Sequence, residues 1–112
     1  MASTASAYLT GFGRYLPGEP VDNDGIVSRL GGDDGVTARI RRRVLDANGI
    51  RQRHYALDER GEPTELNEEL AVKALAAALD DRGIEAGDLR MLATATTMGD
   101  VLVPGFASMV HG

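Results

Sequence analysis

Gly-Phe-Gly-Arg-Tyr-Leu-Pro, at residues 11–17, and Asn-Gly-Ile-Arg-Gln-Arg-His, at residues 48–54, are the two stretches that decide how this chain folds. Each combines glycines, which permit tight turns and close backbone approach, with residues that end a regular element. Neither contains a nucleophile beside a base, and the chain has no cysteine. The two blocks therefore indicate architecture, and the chemistry must be sought elsewhere.

The hydrophobic pattern around these blocks predicts strands alternating with helices. Two long strands are expected at residues 7–13 and 89–97, and a short strand is expected at residues 50–57. Helices are expected at about residues 22–30, 34–48 and 65–82, and a further short helix is expected to begin at Pro104. This order predicts an α/β fold with βαβ connectivity and a mostly parallel sheet. Two long strands cannot complete such a sheet, so residues 1–112 are expected to be part of a domain.

The caps and faces of the predicted helices can be assigned from the sequence. Asp22 or Asn23 is expected to cap the first helix, and Asp33 or Asp34 the second, after a break at Gly31-Gly32. In the second helix an apolar residue recurs every four positions, which predicts an inward stripe with the arginine run facing away. Glycines are expected to end the second and third helices in left-handed caps. The stripe is Val36, Ile40 and Val44, the run is Arg41 to Arg43, and the glycines are Gly49 and Gly83.

The third predicted helix has the most regular pattern in the chain. Thr64 is expected to open it, and its apolar face consists of small alanines interspersed with leucines. A face this narrow favours close packing on a sheet. Its members are Ala71, Ala74, Leu75, Ala78 and Leu79.

Composition excludes several classes of function. With 43% hydrophobic and 26% charged residues the chain is globular, and no apolar run is long enough to cross a membrane. A net charge of −5 argues against nucleic-acid binding. The start of the chain lacks the pattern of a secretory signal, which predicts a cytoplasmic protein. Two separated histidines and no cysteine give no metal signature.

The basic residues are unevenly distributed. Six of the twelve lie between positions 39 and 53, where Asp46 is the only acidic residue. Such a patch is typical of a surface that meets an acidic or phosphorylated partner, although a solvated helix face is the commoner fate of an arginine run.

Together, and in this order, the blocks resemble the opening of the type III β-ketoacyl synthases, condensing enzymes of the thiolase superfamily. The resemblance runs from Gly11–Pro17 through Asn23-Asp24 and Asn48–His54, where Asn48 replaces the usual threonine. It continues through the alanine-rich helix, Asp88-Leu89, the strand end Ala95-Thr96-Thr97 and Pro104. It covers essentially the whole chain.

The resemblance implies a thiolase-like fold, with this chain forming the N-terminal part of the first βαβ half: a mixed sheet with helices on both faces. It implies a homodimeric acyltransferase that uses no cofactor and acts on acyl thioesters of coenzyme A or acyl carrier protein. The family's cysteine nucleophile, and its catalytic histidine and asparagine, match no position among these 112 residues. The chain is accordingly expected to contribute scaffold, dimer surface and pocket wall.

Two positions are implied to shape the acyl pocket. Thr97 matches a residue that lines it, and Val103 matches a residue that reaches across the dimer to the floor of the partner's pocket. Some family members carry a bulky aromatic residue there, so valine predicts tolerance of a longer or branched acyl group. The alternatives are a strand-end threonine that bonds to nearby backbone and an ordinary surface valine.

The segment before Gly49 departs from the family pattern. The family commonly clamps the adenine of coenzyme A between a tryptophan and an arginine, whereas this chain has no tryptophan and places Arg43 and Ala47 at those positions. This puts coenzyme A in doubt as the primary donor. Arg42 and Arg43 offer instead a contact for the acidic helix and phosphopantetheine phosphate of an acyl carrier protein.

Other interpretations remain open. The same scaffold could serve an acyltransferase of specialised metabolism that forms esters or amides, or the 112 residues could be a non-catalytic interaction module. His54 has no adjacent group suited to triad chemistry, so a structural, hydrogen-bonded histidine is expected. Arg51 and Arg53 are expected to pair with carboxylates across the sheet.

Overall fold

The computed structural model describes residues 5–29 and 35–112. The chain divides into two compact units. One contains the residues up to Tyr15 together with Glu65–Gly112, and the other contains Leu16–Thr64.

The Leu16–Thr64 unit is built from two helices and a small sheet. Strand β1 (Val21–Asp22) leads into helix α1 (Asn23–Arg29), and helix α2 (Gly35–Ala47) leads to strand β2 (Gln52–Arg53). The two strands pair antiparallel, with Val21 opposite Arg53. A tight loop follows, closed by a bridge between Leu57 and Pro63. Among the residues of this unit that the structure describes, the buried side chains are Pro17, Ile26 and Val27.

The other unit is organised around helix α3 (Asn67–Arg82). A single 3₁₀ turn (Ala86–Asp88) and helix α4 (Phe106–His111) follow, and α4 packs on α3. Val110 is the most buried apolar side chain of this unit.

The long strands expected at residues 7–13 and 89–97 are not formed, and only Gln52–Arg53 of the expected strand at residues 50–57 is in a ladder. A strand is defined by hydrogen bonds to a neighbour, and within the described residues the only two-strand ladder joins β1 to β2. The mixed sheet is therefore absent from this part of the chain. What the structure does contain is helices with one short antiparallel pair.

The ends of the helices follow local chemistry closely. Asp22 caps α1 by accepting a 2.8 Å hydrogen bond from the Gly25 N–H, as predicted. Gly49 and Gly83 adopt left-handed φ angles of 73° and 69° after α2 and α3, which confirms both as helix ends. Helix α3 begins at Asn67 rather than directly after Thr64, because the Glu69 carboxylate accepts from the Leu66 N–H at 2.7 Å. The expected caps and break at residues 31–34 lie outside the described residues.

Two helix predictions are wrong. Helix α4 begins at Phe106, so Pro104 precedes its first turn instead of opening it. In α2 the stripe expected to face inward is exposed, since Ile40 retains 59% of its accessible surface. The less exposed side of α2 is a different face, formed by Thr37, Ala38, Arg41 and Leu45. Helical periodicity therefore identified an apolar face of α2 but not the face that is less exposed.

The close approach of the Gly11–Pro17 block to α3 depends on the absence of side chains. A Cβ atom on Gly13 would overlap the carbonyl oxygen of Ala74 and the backbone nitrogen of Ala78, and would lie 2.9 Å from the carbonyl carbon of Ala77. Backbone therefore rests directly on backbone, and the alanines of α3 leave room for it. The predicted narrow face of α3 is confirmed as a close-packing face, but glycine backbone packs there and not a sheet.

Gly13→Ala is expected to destabilise the chain by about 3 kcal/mol, because α3 backbone cannot move aside as a flexible side chain can. Gly87→Ala is the matched control, since its added methyl group would meet nothing within 4 Å. Urea unfolding followed by circular dichroism measures both variants. Equal midpoints for the two would contradict this account of Gly13.

Candidate functional site

The segment that carries Thr97 and Val103 is tied to the first turn of α3. The Asn67 side-chain amide donates to Asp100 Oδ1 at 2.8 Å, and the Asn67 backbone N–H lies 3.3 Å from Asp100 Oδ2. The same amide also reaches the carbonyl oxygen of Met98 at 3.4 Å. We call this set of contacts the Asn67–Asp100 latch. It fixes the middle of the segment that begins at Thr97 and ends at Val103.

The two predicted acyl-pocket residues lie on either side of the latch, and both are exposed. Val103 retains 81% of its accessible surface, and its neighbour Leu102 retains 98%. The alternative considered for Thr97 was a hydrogen bond to nearby backbone. The neighbouring Thr96 makes such a bond, because its hydroxyl donates to the Met98 carbonyl oxygen at 2.9 Å. Thr97 is exposed on the same segment. Both roles assigned by resemblance stay predictions.

A second cluster fixes the other end of this unit. The Tyr15 hydroxyl lies 2.9 and 3.0 Å from the two carboxylate oxygens of Glu65. The Lys73 ammonium contacts the same carboxylate, lies 3.3 Å from the Tyr15 hydroxyl and sits 4.7 Å from the centre of its ring. The Tyr15–Glu65–Lys73 cluster therefore holds residues 11–15 against α3 by charge-assisted hydrogen bonds.

The cluster shifts both charged groups towards their ionised forms. The hydrogen bond from Lys73, together with that from the Tyr15 hydroxyl, lowers the pKa of Glu65 below its ordinary 4.5, although partial burial opposes the shift. The hydrogen bond to Glu65, with a smaller contribution from Tyr15, raises the pKa of Lys73 above its ordinary 10.5. Across the neutral range the pair is a stable ion pair, and neither group is suited to take or give a proton.

The predicted donor-binding residues lie on α2, where Arg42 has different surroundings from Arg43 and Ala47. Arg42 makes two hydrogen bonds to Asp24 Oδ1, at 2.7 and 2.9 Å, and so ties α2 to α1. Arg43 and Ala47 are exposed. The Arg42–Asp24 pair is itself exposed, so it contributes less than about 1 kcal/mol, but it offsets the charge that a phosphate would otherwise meet.

The end of α2 is held by amide side chains. Asn23 donates to Asp46 Oδ1 at 3.0 Å and accepts from the Arg53 guanidinium at 2.9 Å. The Asn48 amide oxygen accepts from the Ile50 N–H at 2.8 Å and lies 3.4 Å from Arg53. The expectation that Arg53 pairs with a carboxylate is wrong, because amide oxygens of Asn23 and Asn48 occupy its donors. These contacts fix the turn that follows Ala47.

His54 has the structural environment that the sequence predicts. Its Nδ1 lies 3.2 Å from the Pro17 carbonyl oxygen and 3.1 Å from that of Gly18, so Nδ1 carries the proton and donates it to backbone. It thereby ties the segment before β1 to the segment after β2. A histidine held in this way is not available as a general base at Nδ1.

An apolar cleft of about 610 Å³ lies between α3 and α4. Its lining includes Val72, Leu75, Leu79, Leu92 and Val110. Among the described residues, no three or more His, Asp or Glu side chains converge as metal ligands. No helix in residues 5–29 and 35–112 has the length and apolarity to cross a bilayer.

Sequence reasoning missed the residues that hold the candidate segments in place. The partners in the latch are 33 residues apart, and Tyr15 and Glu65 are 50 apart. Contacts at such separations leave no periodic or spacing signal in a single sequence. A helical wheel of α2 places Arg42 and Arg43 on different faces, but it does not show which of them meets α1.

Comparison with known proteins identifies proteins that are similar to this chain. No family model matches the chain. The chain is 38% identical over 108 residues to beta-ketoacyl-acyl-carrier-protein synthase III of Rhodobacter capsulatus, a match that covers 96% of this chain and 30% of that protein. The protein of the same name from Caulobacter vibrioides is 36% identical over 103 residues, covering 92% of this chain and 28% of its own length. The protein of the same name from Ehrlichia ruminantium is 31% identical over 106 residues, covering 95% of this chain and 30% of its own length.

The predicted resemblance to the type III β-ketoacyl synthases is therefore confirmed over nearly the whole chain. The chain spans about 30% of the length of the curated relatives it matches. The relatives are named as synthases, and this chain is similar to one part of them.

The Tyr15–Glu65–Lys73 cluster makes stability depend on pH at the acidic end. Because the pKa of Glu65 is lower in the folded chain, its contribution is complete above 4.5 and is lost as the pH falls through the lowered folded value. The stability difference between the parent chain and Glu65→Gln is therefore expected to be larger at pH 7 than at about pH 3.

Urea unfolding at the two pH values measures this difference. Glu59→Gln is the control, because Glu59 is an exposed glutamate outside the cluster. A parent–variant difference for Glu65 that stays constant with pH would show that its charge does not hold residues 11–15.

Proposed function

We propose that this chain forms part of an acyl-thioester condensing enzyme of the β-ketoacyl synthase III type, with its cysteine nucleophile outside these 112 residues. The observation that carries the proposal is the 31–38% identity to such synthases over more than nine-tenths of the chain. A thiolase-like α/β fold, a homodimer and a cytoplasmic location belong to the same proposal.

The reaction would proceed in two half-reactions. A cysteine thiolate attacks the carbonyl carbon of an acyl thioester, the carbon–sulfur bond breaks, and the donor leaves as a thiolate that takes up the proton the cysteine had lost. A malonyl thioester then loses its carboxylate as carbon dioxide, and the resulting carbanion attacks the acyl-cysteine. A new carbon–carbon bond forms and the cysteine thiolate is released. The described residues contribute walls and anchoring contacts to this sequence.

The acyl pocket is proposed to involve the segment that the latch fixes. Val103, with 81% of its surface exposed, is free to contact a second subunit, and valine leaves space that an aromatic side chain would fill. Thr97 lies on the other side of Asp100 and is proposed to face the acyl chain. The apolar, protruding stretch between Val101 and Val103 supports an interface at this segment.

The preferred donor is proposed to be a carrier-protein thioester. No tryptophan is present to stack on adenine, and the two clamp positions are held by Arg43 and Ala47. Arg43 remains exposed, whereas Arg42 is paired with Asp24. Arg43 and Ala47 are therefore proposed as donor-contacting residues, and Arg42 as a residue that positions α2.

A second candidate function rests on the same missing tryptophan. An acyltransferase that passes the acyl group from cysteine to an alcohol or amine uses the same first half-reaction and releases no carbon dioxide. An ester or amide then forms, and the acceptor loses its proton. A departure at the donor-binding segment favours a specialised substrate over primary fatty acid synthesis.

The full-length protein that contains this chain is expected to release carbon dioxide from a malonyl thioester. One molecule of carbon dioxide should accompany each molecule of β-ketoacyl product. The assay offers acyl groups both as coenzyme A and as carrier-protein thioesters, and faster use of the latter is expected. Ester or amide formation without carbon dioxide would establish the second candidate. Failure to transfer any acyl group from either donor would overturn both.

Val103→Phe in that protein is expected to narrow the acyl range, lowering kcat/KM for the longest accepted acyl group about tenfold while sparing short ones. Leu102→Phe is the matched control, because it adds a similar ring to the neighbouring exposed position. Competition assays with mixed acyl thioesters measure the ratio directly. An unchanged chain-length preference in Val103→Phe would remove Val103 from the pocket.

A further inference from the structure

Helix α3 begins without a hydrogen bond from the side chain at its N-cap position. Leu66 occupies that position, and its side chain has no oxygen that could accept from an N–H group of the first turn. The first N–H groups of a helix have no acceptor within the helix, so each needs one from elsewhere. The Glu69 carboxylate supplies a local acceptor, for the Leu66 N–H at 2.7 Å. The acceptor for the next N–H group, that of Asn67, comes from a distant part of the chain.

That acceptor is the carboxylate of Asp100, 33 residues beyond Asn67. Its Oδ2 lies 3.3 Å from the Asn67 backbone nitrogen, and its Oδ1 accepts from the Asn67 side-chain amide at 2.8 Å. One carboxylate thus accepts from the backbone and from the side chain of the same residue, which restricts its orientation as well as its distance. The dipole of this 16-residue helix also favours a negative charge at its N-terminus.

The same carboxylate determines where residues 97–103 lie relative to α3. Thr97 is three residues before Asp100 and Val103 is three residues after it, so each lies at most about 11 Å along the chain from the latch. The Asn67 amide also lies 3.4 Å from the Met98 carbonyl oxygen. Breaking the latch therefore removes contacts that hold both Thr97 and Val103 relative to α3.

We propose that Asn67 and Asp100 are positioning residues for acyl-group selection, because the bond that caps α3 also holds Thr97 and Val103 at one depth relative to the acyl pocket. The inference rests on the proposed function and adds two residues to it. One methylene group in a hydrophobic pocket changes kcat/KM by about 10- to 200-fold, and such discrimination requires a wall whose position is fixed. The latch supplies that fixed position.

The first test follows the segment itself in the full-length protein, through the methyl NMR resonances of Val103. Asn67→Ala and Asp100→Ala each remove the latch, and each is expected to move these resonances towards the chemical shifts of a mobile valine. The matched control is Glu69→Ala, which removes the other carboxylate bond at the same end of α3 and leaves the latch intact. The Val103 resonances are expected to stay in place in that variant.

A reciprocal exchange tests whether the hydrogen bonds carry the effect. Asn67→Asp alone sets two carboxylates against each other, and Asp100→Asn alone sets two amides against each other without the charge. In the double variant the amide at position 100 can donate to the carboxylate at position 67, and its oxygen can accept from the backbone N–H there. The double variant is therefore expected to recover the parent resonances and the parent acyl preference, which neither single variant does.

The second test measures acyl selection, by competition between the preferred acyl thioester and one that is longer by two methylene groups. Asn67→Ala and Asp100→Ala are each expected to lower the ratio of the two kcat/KM values about fivefold. Glu69→Ala is expected to leave this ratio unchanged, although it weakens the same helix end. An equal loss of selectivity in Glu69→Ala would show that only the stability of α3 matters, and would overturn the positioning role.

Failure of this inference can be distinguished from failure of the proposed function. Val103 resonances that stay in place in both alanine variants at positions 67 and 100 would overturn the positioning role, whatever the enzyme does. Resonances that move while the selectivity ratio stays constant would overturn the link to acyl selection and leave the proposed function intact. A parent protein that transfers no acyl group would overturn the proposed function and the acyl selection that rests on it, while the resonances would still decide whether the latch positions the segment.

Discussion

The contact between Gly13 and the backbone of α3 is the constraint on which the rest of its unit depends. Because no side chain separates the two backbones, the Gly11–Pro17 block lies near enough for Tyr15 to reach Glu65. The Phe12 N–H can also donate to the Asp81 carboxylate at 3.1 Å. Small residues on both surfaces thus bring charged and polar groups within hydrogen-bonding distance. The hydrogen bonds then fix the position of this segment along α3.

The sequence predicts the features that local chemistry controls. Gly49 and Gly83 end helices because a left-handed residue satisfies the last carbonyl groups, and Asp22 caps because its oxygen reaches a free N–H. The strands could not be predicted in the same way. A strand needs a neighbour, and an apolar run in the sequence does not specify whether one is within reach. The prediction that the apolar stripe of α2 faces inward was wrong for a related reason. Periodicity identifies an apolar face but not the element that packs against it.

The candidate site, like the fold, has features that the sequence predicts and features that it does not. Resemblance identifies Thr97, Val103 and Arg43 as positions of interest, and the exposure of all three is compatible with contact to something outside the described residues. It does not identify what holds them. The supporting residues act through side-chain contacts between distant parts of the chain, and the division of labour between Arg42 and Arg43 appears only when α1 is placed against α2.

The Asn67–Asp100 latch has a consequence for how substrate range can evolve in the proposed enzyme. The latch consists of short side chains joined by hydrogen bonds. One methylene added at position 67 or 100 would therefore shift the segment with Thr97 and Val103 relative to α3. Neither Asn67 nor Asp100 needs to touch an acyl group for this to happen. Selection for a new acyl chain can therefore act on the first turn of α3 while the pocket residues themselves stay the same.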